Sequence, residues 1–504
     1  MPPRLIPIPS PEGLTVYRWP LLLPSRSVIL VPRRIIVVSN AGPAKFKGSE
    51  TELSAGGVVT ALKGLGSALN TWIQVPSTST EFGMASRGGT ASVDGIKVAF
   101  GNLSPAQQEA LYSKVSNGAI VHYVLGQSRN AQHVGDGDWR LFREGSQAMA
   151  QAALEQVLAS SRGTKFGLFI DDYQMVLVPG LMRRLLVENG REGDVHLQMH
   201  IHTTWSYPED WNGLSANYRA EIVRGMLGAD AIGFHTATDV RNFANCVGRW
   251  LSGASVSGNS VRFEGRTIKL VANPLGIDTR GMTSKLNSSG GRDAVRKIAR
   301  LIDGRTNVVA SIGRTDPTKK LDTLLLAYER DLQDNPEKVS DTVLLLHLTK
   351  SRLNVPVYAR HFDLLNREVD RINGRFWEQA GGRNVVEKYV ESDPFLPLGQ
   401  YAQYTVLVIP SERDGLALTA LEGPWVNQKD GVLILSTGAG AYTLLSDGAL
   451  RFVPGSGEVE QLAGLLQQAS EMSPRERARR QQSLRANIRR YDMGAWLKQR
   501  LSLM

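Results

Sequence analysis

Four groups of residues in this chain have the types and spacing to do chemistry. The first is Gly313-Arg314-Thr315-Asp316-Pro317-Thr318-Lys319, which follows an apolar run. Open α/β sheets bind ligands beyond the carboxyl ends of their strands. An Arg and a Lys five apart, leading into a helix, can grip a diphosphate, Arg through paired hydrogen bonds and Lys as a point charge. A solvated turn with two ordinary cations fits the same residues equally well. The second group is Asp414-Gly415-Leu416-Ala417-Leu418-Thr419-Ala420-Leu421-Glu422, also at a strand end. Amides at this helix start can bind a phosphate, and its two carboxylates can take sugar and ribose hydroxyls. The competing reading is an N-cap Asp and a helical Glu.

The third group is Asp171-Asp172-Tyr173, with His200 and His202 further on. Neighbours in a strand face opposite sides, so the two Asp residues are not expected to chelate one ion. The two His residues, at i and i+2, can share a face. The fourth is Gly56-Gly57, where the lack of a Cβ allows either close approach of a phosphate or a plain tight turn.

The elements that must hold these groups alternate. Continuous β-branched or apolar runs at 34–40, 165–170, 195–201 and 230–234 read as buried parallel strands. Helical spacing follows at 58–69 and 144–160, and after 234, where Thr238 and Asp239 fall in the first turn. The second half repeats the pattern, with strands at 307–312, 342–348, 404–409 and 431–436 and helices from about 321 and near 418–426. Such alternation implies parallel sheets covered on both faces, and at this length two doubly wound domains rather than one sheet. Asn273-Pro274-Leu275-Gly276 reads as the hinge, followed by a Gly/Ser-rich stretch up to Gly291. There is no internal repeat and no heptad pattern.

Composition narrows the function classes. The chain has 504 residues, 42% hydrophobic and 21% charged, an ordinary globular balance. Lys+Arg 58 against Asp+Glu 48 gives +10, which suits anionic ligands but is too diffuse to argue for nucleic acid. The single cysteine, Cys246, excludes an intramolecular disulfide and a cysteine-based metal cluster, and fits a reducing cytoplasm. No uncharged apolar stretch is long enough to span a membrane. Eight prolines within residues 1–32 interrupt any signal-peptide core, so 1–33 reads as a disordered leader without chemistry. The seven arginines within 475–490 form either an anion-binding patch or a solvated helix face.

Taken in order, these segments resemble the trehalose-6-phosphate synthase family of retaining glycosyltransferases, over about residues 34–500. The residues that carry the resemblance are Ser39-Asn40, Ser54-Ala55-Gly56-Gly57, Asp172-Tyr173, His202, Gly233-Phe234, Pro274-Leu275-Gly276-Ile277, Arg314 with Lys319, Ser351-Arg352, Arg371-Ile372-Asn373-Gly374, Asp414-Gly415 and Glu422. The Arg-Thr-Asp-Pro-Thr-Lys run, Asp172-Tyr173-Gln174 and the run 351–356 look particularly like the validamycin synthase-like branch, which couples cyclitols through a C–N bond. The resemblance implies a GT-B fold: two Rossmann-like α/β domains with the site in the cleft between them. On that reading 34–276 is the acceptor domain and 277–485 the nucleotide-sugar domain. The last segment, 486–504, is a helix packing back on the first domain.

Carried over by position, Arg314 and Lys319 hold the donor diphosphate and its leaving charge, and Gly57 lies against that phosphate. Glu422 binds the donor ribose. Asp414, Gly415 and the amides of Leu416, Ala417 and Leu418 hold the donor sugar and diphosphate. His202 contacts the donor sugar, and Asp172 the donor sugar or acceptor. Tyr112 and Arg352 bind the acceptor. The implied reaction is a front-face displacement that needs no cofactor, no metal and no protein nucleophile. The partners are a UDP- or GDP-linked sugar and a small acceptor, with no nucleic acid and no membrane; a homo-oligomer is allowed.

The departures concern the acceptor. Ala41 stands where the family has an Arg, Val121 where it has a Trp, and Asp171 where a His precedes the Asp-Tyr pair. Lys45 or Lys47 can replace the lost Arg. Losing one charged hydrogen bond costs roughly 1.5–3 kcal/mol, which weakens the case for glucose-6-phosphate without excluding it. Three functions therefore compete: a glycosyltransferase with a diverged acceptor, a pseudo-glycosyltransferase joining an activated cyclitol to an amino-cyclitol phosphate, and a silent sugar-nucleotide-binding subunit. Retention of Arg314, Lys319, Asp414 and Glu422 disfavours the third.

Overall fold

β-Branched and apolar runs bounded by glycine turns can bury both faces of a strand only inside a helix-covered parallel sheet. Two such sheets form in the computed structural model of this chain. The structure describes residues 34–504 except 55, 351, 352, 354, 355, 391, 392 and 394, and the side chain of Pro356. The expected leader, 1–33, lies outside the described residues.

In chain order the first half supplies β1 (Arg34–Ser39), β2 (Ala44–Lys47), β3 (Glu50–Leu53), β4 (Leu69–Gln74), β5 (Ala91–Val93), β6 (Ile96–Phe100), β7 (Phe166–Asp171), β8 (Val195–His200), β9 (Ala231–Phe234), β10 (Ser255–Ser257), β11 (Ser260–Phe263) and β12 (Arg266–Ala272). All but the β2–β3 hairpin join one sheet in the order β10-β11-β12-β9-β8-β7-β1-β4-β6-β5. The run from β12 to β6 is parallel. The second half supplies β13 (Asn307–Arg314), β14 (Thr342–Thr349), β15 (Val386–Val390), β16 (Val406–Ile409), β17 (Val432–Ser436) and β18 (Leu450–Phe452). They form a parallel sheet in the order β15-β14-β13-β16-β17-β18.

Both orders contain a reversal that decides where a ligand can sit. The chain builds outward from β1 through β4 to β6, then starts again on the other side with β7. It builds from β13 through β14 to β15, then restarts with β16. The crevices at such reversals open at the carboxyl ends of the flanking strands. Those ends are Asn40 and Asp172 in the first lobe, and Arg314 and the 410–418 loop in the second.

The chain passes between the sheets twice. The outgoing segment is 273–278, where Asn273 donates to the Trp496 carbonyl at 3.2 Å. The returning segment follows the helix Pro474–Arg490, and Met493 donates to the Ile277 carbonyl at 3.1 Å. A Cβ on Gly276 would lie 2.0 Å from the Tyr491 carbonyl oxygen, so only glycine fits where the two segments touch. The last helix, Met493–Ser502, buries Trp496 and Leu497 in a core shared with Ile35, Val37 and Phe169.

Three regions depart in part from expectation. The Gly/Ser-rich stretch after the hinge segment is helical: Asp278 caps Thr279–Leu286 and Ser288 caps Ser289–Ile302, each accepting from an amide three residues on. The helix expected over 58–69 is only Gly57–Lys63, followed by β4. The arginines of 475–490 lie on a surface helix, with Arg475, Arg479, Arg489 and Arg490 exposed to solvent. Arg477, Arg480 and Arg485 instead donate to the carbonyls of Ala469, Ala449 and Pro424, stapling that helix to the second lobe. Among the described residues no helix is long and apolar enough to cross a membrane.

Candidate active site

Two cavities lie between the lobes, with volumes of about 480 and 270 Å³. They meet at His202, Arg314, Lys319 and Asp414, which line both. Gly57, Leu416, Ala417, Leu418 and Glu422 line the larger; Tyr112, Asp172 and Gly415 line the smaller. Every expected site residue that the structure describes is thus in one cleft. Arg352 lies outside the described residues.

The cations emerge where β13 ends. Arg314 is its last residue, and a tight 3₁₀ turn, Pro317–Lys319, swings Lys319 back toward the same opening. Arg314 pairs with Asp316 at 2.7 Å, with its side chain 53% exposed. Lys319 pairs with Asp414, and both of those side chains are mostly buried. Asp414 therefore faces a cation and caps no helix. The helix after it is Thr419–Val426, whose N-cap is Leu418. Ala417 adopts φ 63, the left-handed conformation that Ala tolerates poorly.

Glu422, in the first turn of that helix, accepts from the Tyr401 hydroxyl at 3.0 Å. Burial raises its carboxyl above the usual range, against the pull of that hydrogen bond. The lobes close tightly around this loop. A Cβ on Gly415 would stand 2.5 Å from the His202 carbonyl oxygen, and one on Gly57 would stand 2.2 Å from Leu418 Cδ1.

The two Asp residues after β7 do not behave as alternating strand neighbours. Asp172 has φ 76 and ψ 169, a region nearly exclusive to glycine. That twist lets both carboxylates reach His202. Asp171 Oδ1 lies 2.9 Å from His202 Nε2, and Asp172 Oδ1 accepts from the His202 backbone amide at 3.2 Å. Asp171 also accepts from Arg500 Nη1 at 2.8 Å. Its burial favours the neutral acid, but the Arg500 charge and the His202 contact win and hold its carboxyl below the usual range. Burial raises the Asp172 carboxyl.

His200, His202 and His235 bring ring nitrogens within 4.8 Å of one another. This is scaffolding. His235 Nδ1 accepts from the Leu275 amide at 3.3 Å, and its Nε2 sits 3.2 Å from the His202 carbonyl oxygen. Burial lowers His235 to about 3 and His200 well below its ordinary value, so both are neutral.

On the acceptor side, Val121 lines the smaller cavity, with Asn117, Gln174, Tyr358 and Arg413. Asn117 accepts from the Tyr173 hydroxyl at 2.7 Å. Arg413 lies 3.5 Å from Asp210. Lys45 and Lys47 sit on the β2–β3 hairpin and line neither cavity; Lys47 pairs with Glu52 at 2.7 Å. Sequence reasoning passed over Asn117, His235, Tyr358, Tyr401, Arg413 and Arg500. Only Arg413 carried a signal, being adjacent to the Asp-Gly pair.

Two doubly wound α/β lobes facing each other across a crevice with paired cations define a GT-B architecture, and solved structures share it. An E. coli trehalose-6-phosphate structure bound with UDP-2-fluoro glucose superposes with a TM-score of 0.79 at 22% identity, covering 93% of this chain and 98% of the other. A Burkholderia xenovorans alpha,alpha-trehalose-phosphate synthase (UDP-forming) in complex with glucose-6-phosphate gives 0.78 at 21% identity, over 92% and 98%. By sequence, an Aspergillus fumigatus alpha,alpha-trehalose-phosphate synthase [UDP-forming] is 29% identical over 92% of this chain and 95% of its own. The description "Glycosyltransferase family 20" matches residues 29–504, and the chain belongs to that family.

Proposed function

We propose that the chain is a retaining hexosyltransferase that takes a UDP-linked sugar as donor and a sugar phosphate or a diverged polyol as acceptor. The observation that carries this reading is the placement of Arg314 and Lys319 where the two cavities meet, each held by a carboxylate. A diphosphate in the larger cavity exchanges those carboxylates for phosphate oxygens. Asp414, freed from Lys319, then takes a hydroxyl of the hexosyl group, and Glu422 takes the ribose. The bond from C1 to the diphosphate breaks as positive charge grows on the sugar ring. Arg314 and Lys319 stabilise the departing oxygen, which removes the proton of the acceptor hydroxyl. That hydroxyl attacks C1 from the same face, out of the smaller cavity, so configuration is retained. Such prepositioned cations in a closed cleft supply most of the rate enhancement.

UDP is favoured as the carrier because the Aspergillus relative is UDP-forming and the E. coli structure holds a UDP-sugar. The acceptor is left broader, because Ala41 and Val121 remove two groups that would hold a phosphate. Cytoplasmic action fits the lone, buried Cys246. The test is a thermal-shift panel of UDP-, GDP- and ADP-glucose, followed by glucose-6-phosphate, glucose and amino-cyclitol phosphates as acceptors. UDP-glucose is expected to raise the melting temperature, and a transfer product is expected with retained anomeric configuration by NMR. No shift with any nucleotide sugar would overturn the reading.

A further inference from the structure

Arg500 is the most buried arginine among the described residues. It sits on the last helix with its side chain 2% exposed, its guanidinium carbon 4.0 Å from the centre of the Phe169 ring and 5.0 Å from that of Trp496. Two apolar rings thus fix it in place. The acid it meets, Asp171, has a side chain 1% exposed. One oxygen, Asp171 Oδ1, lies within hydrogen-bond reach of both Arg500 Nη1, at 2.8 Å, and His202 Nε2, at 2.9 Å. His202 is itself 6% exposed by side chain and lines both cavities. Its Nδ1 is buried and has no protein partner. A carboxylate that already takes one proton-bearing group from Arg500 can only accept from the imidazole as well. Nε2 must then carry a ring proton.

We propose that Arg500 and Asp171 are positioning residues that hold the His202 ring through its Nε2–H and so fix its orientation where the two cavities meet. The arrangement rests on the glycosyltransferase reading of the cleft and specifies what sets one of its rings.

The experiment labels the histidines of the full chain with ¹⁵N and reads tautomers at pH 7.5 from long-range ¹H–¹⁵N spectra, with His202→Gln assigning the resonance. The unmodified protein is expected to show His202 with a proton on Nε2. Asp171→Leu with Arg500→Met replaces the ion pair by apolar groups of similar size, a change that folds well elsewhere. Without its acceptor the imidazole is expected to move its proton to Nδ1, and kcat/KM for the nucleotide sugar to fall about 10- to 100-fold, mostly in kcat. Asp171→Asn is the conservative rescue. Its amide oxygen accepts from both donors, so the tautomer and activity within about fivefold are expected to survive. An Nε2 without a proton in the unmodified protein would overturn the proposal. So would an unchanged tautomer in the double variant, or a rescue that restores melting temperature but not tautomer. The spectra need no turnover, so a failure of the donor assignment is read separately from a failure of the lock.

Discussion

Replacing Arg314 and Lys319 one at a time, each by Ala, separates what each does for the fold from what it does for the reaction. Their surroundings differ. The Arg314 side chain is 53% exposed, but its partner Asp316 is only 3% exposed, so removing Arg314 takes one partner from a buried carboxylate, at a cost of about 1–3 kcal/mol. Lys319 is 18% exposed and its partner Asp414 16%. Removing Lys319 strands a mostly buried carboxylate, at a cost of about 1–3 kcal/mol. The catalytic loss is expected to be similar for both, because each lines the junction of the two cavities where the diphosphate is proposed to sit. One missing donor in a closed site costs about 2.7–4 kcal/mol, or 10²–10³ in kcat. The assay pairs kcat at saturating nucleotide sugar with the melting temperature, with and without UDP. Arg314→Ala should melt somewhat lower in the free state and lose both turnover and most of the UDP-induced shift. That shift, at a ligand concentration one hundred times Kd, corresponds to about 2.7 kcal/mol in the unmodified enzyme. Lys319→Ala should lose turnover and also melt lower in the free state. Near-normal kcat in Arg314→Ala with saturating donor would refute the placement of the diphosphate. An unchanged free-state melting temperature in both variants would refute the burial argument.

Two further outcomes are expected. Burial raises the Asp331 carboxyl from 3.8 to about 6, against the nearby Lys338. The folded state then holds a proton the unfolded chain has released, so stability falls as pH rises from about 3.8 to 6 and stays lower above. Asp331→Asn should flatten that slope in urea titrations and raise stability at pH 7.5 by up to about 3 kcal/mol; a loss there would contradict the assignment. Tyr401→Phe removes the hydroxyl that orients Glu422 and should raise the donor KM about fivefold with kcat nearly unchanged, since one neutral hydrogen bond is worth about 1 kcal/mol. A fall in kcat alone in steady-state kinetics would count against it.

The strands nearest the cleft were readable because they are the most buried. Ile35 to Val38 and Val406 to Ile409 are nearly inaccessible, and only continuous apolar runs survive there. β4, with Asn70, Thr71 and Gln74, and β15, with Glu387 and Lys388, mix polar residues into the run and left no pattern to read. The helices after the outgoing crossover went unread because glycine and serine were weighed as breakers, while Asp278 and Ser288 were the N-caps that announced them. In the site, residues grouped along the chain were legible: Arg314 with Lys319, and Asp414 with Glu422. What was missed came from afar or from the backbone. The positive φ of Asp172 overrides strand alternation, and no side-chain pattern encodes it. Arg500 meets Asp171 from 329 positions away, beyond any local spacing rule.

That separation bears on how the protein is made. At roughly 5–20 residues per second, the ribosome delivers Arg500 about 15–65 s after Asp171. Through that interval the nascent first lobe carries an acid whose counter-charge does not yet exist. Docking of the helix that carries Arg500 therefore supplies that counter-charge, so the ion pair forms only after the second lobe has been made.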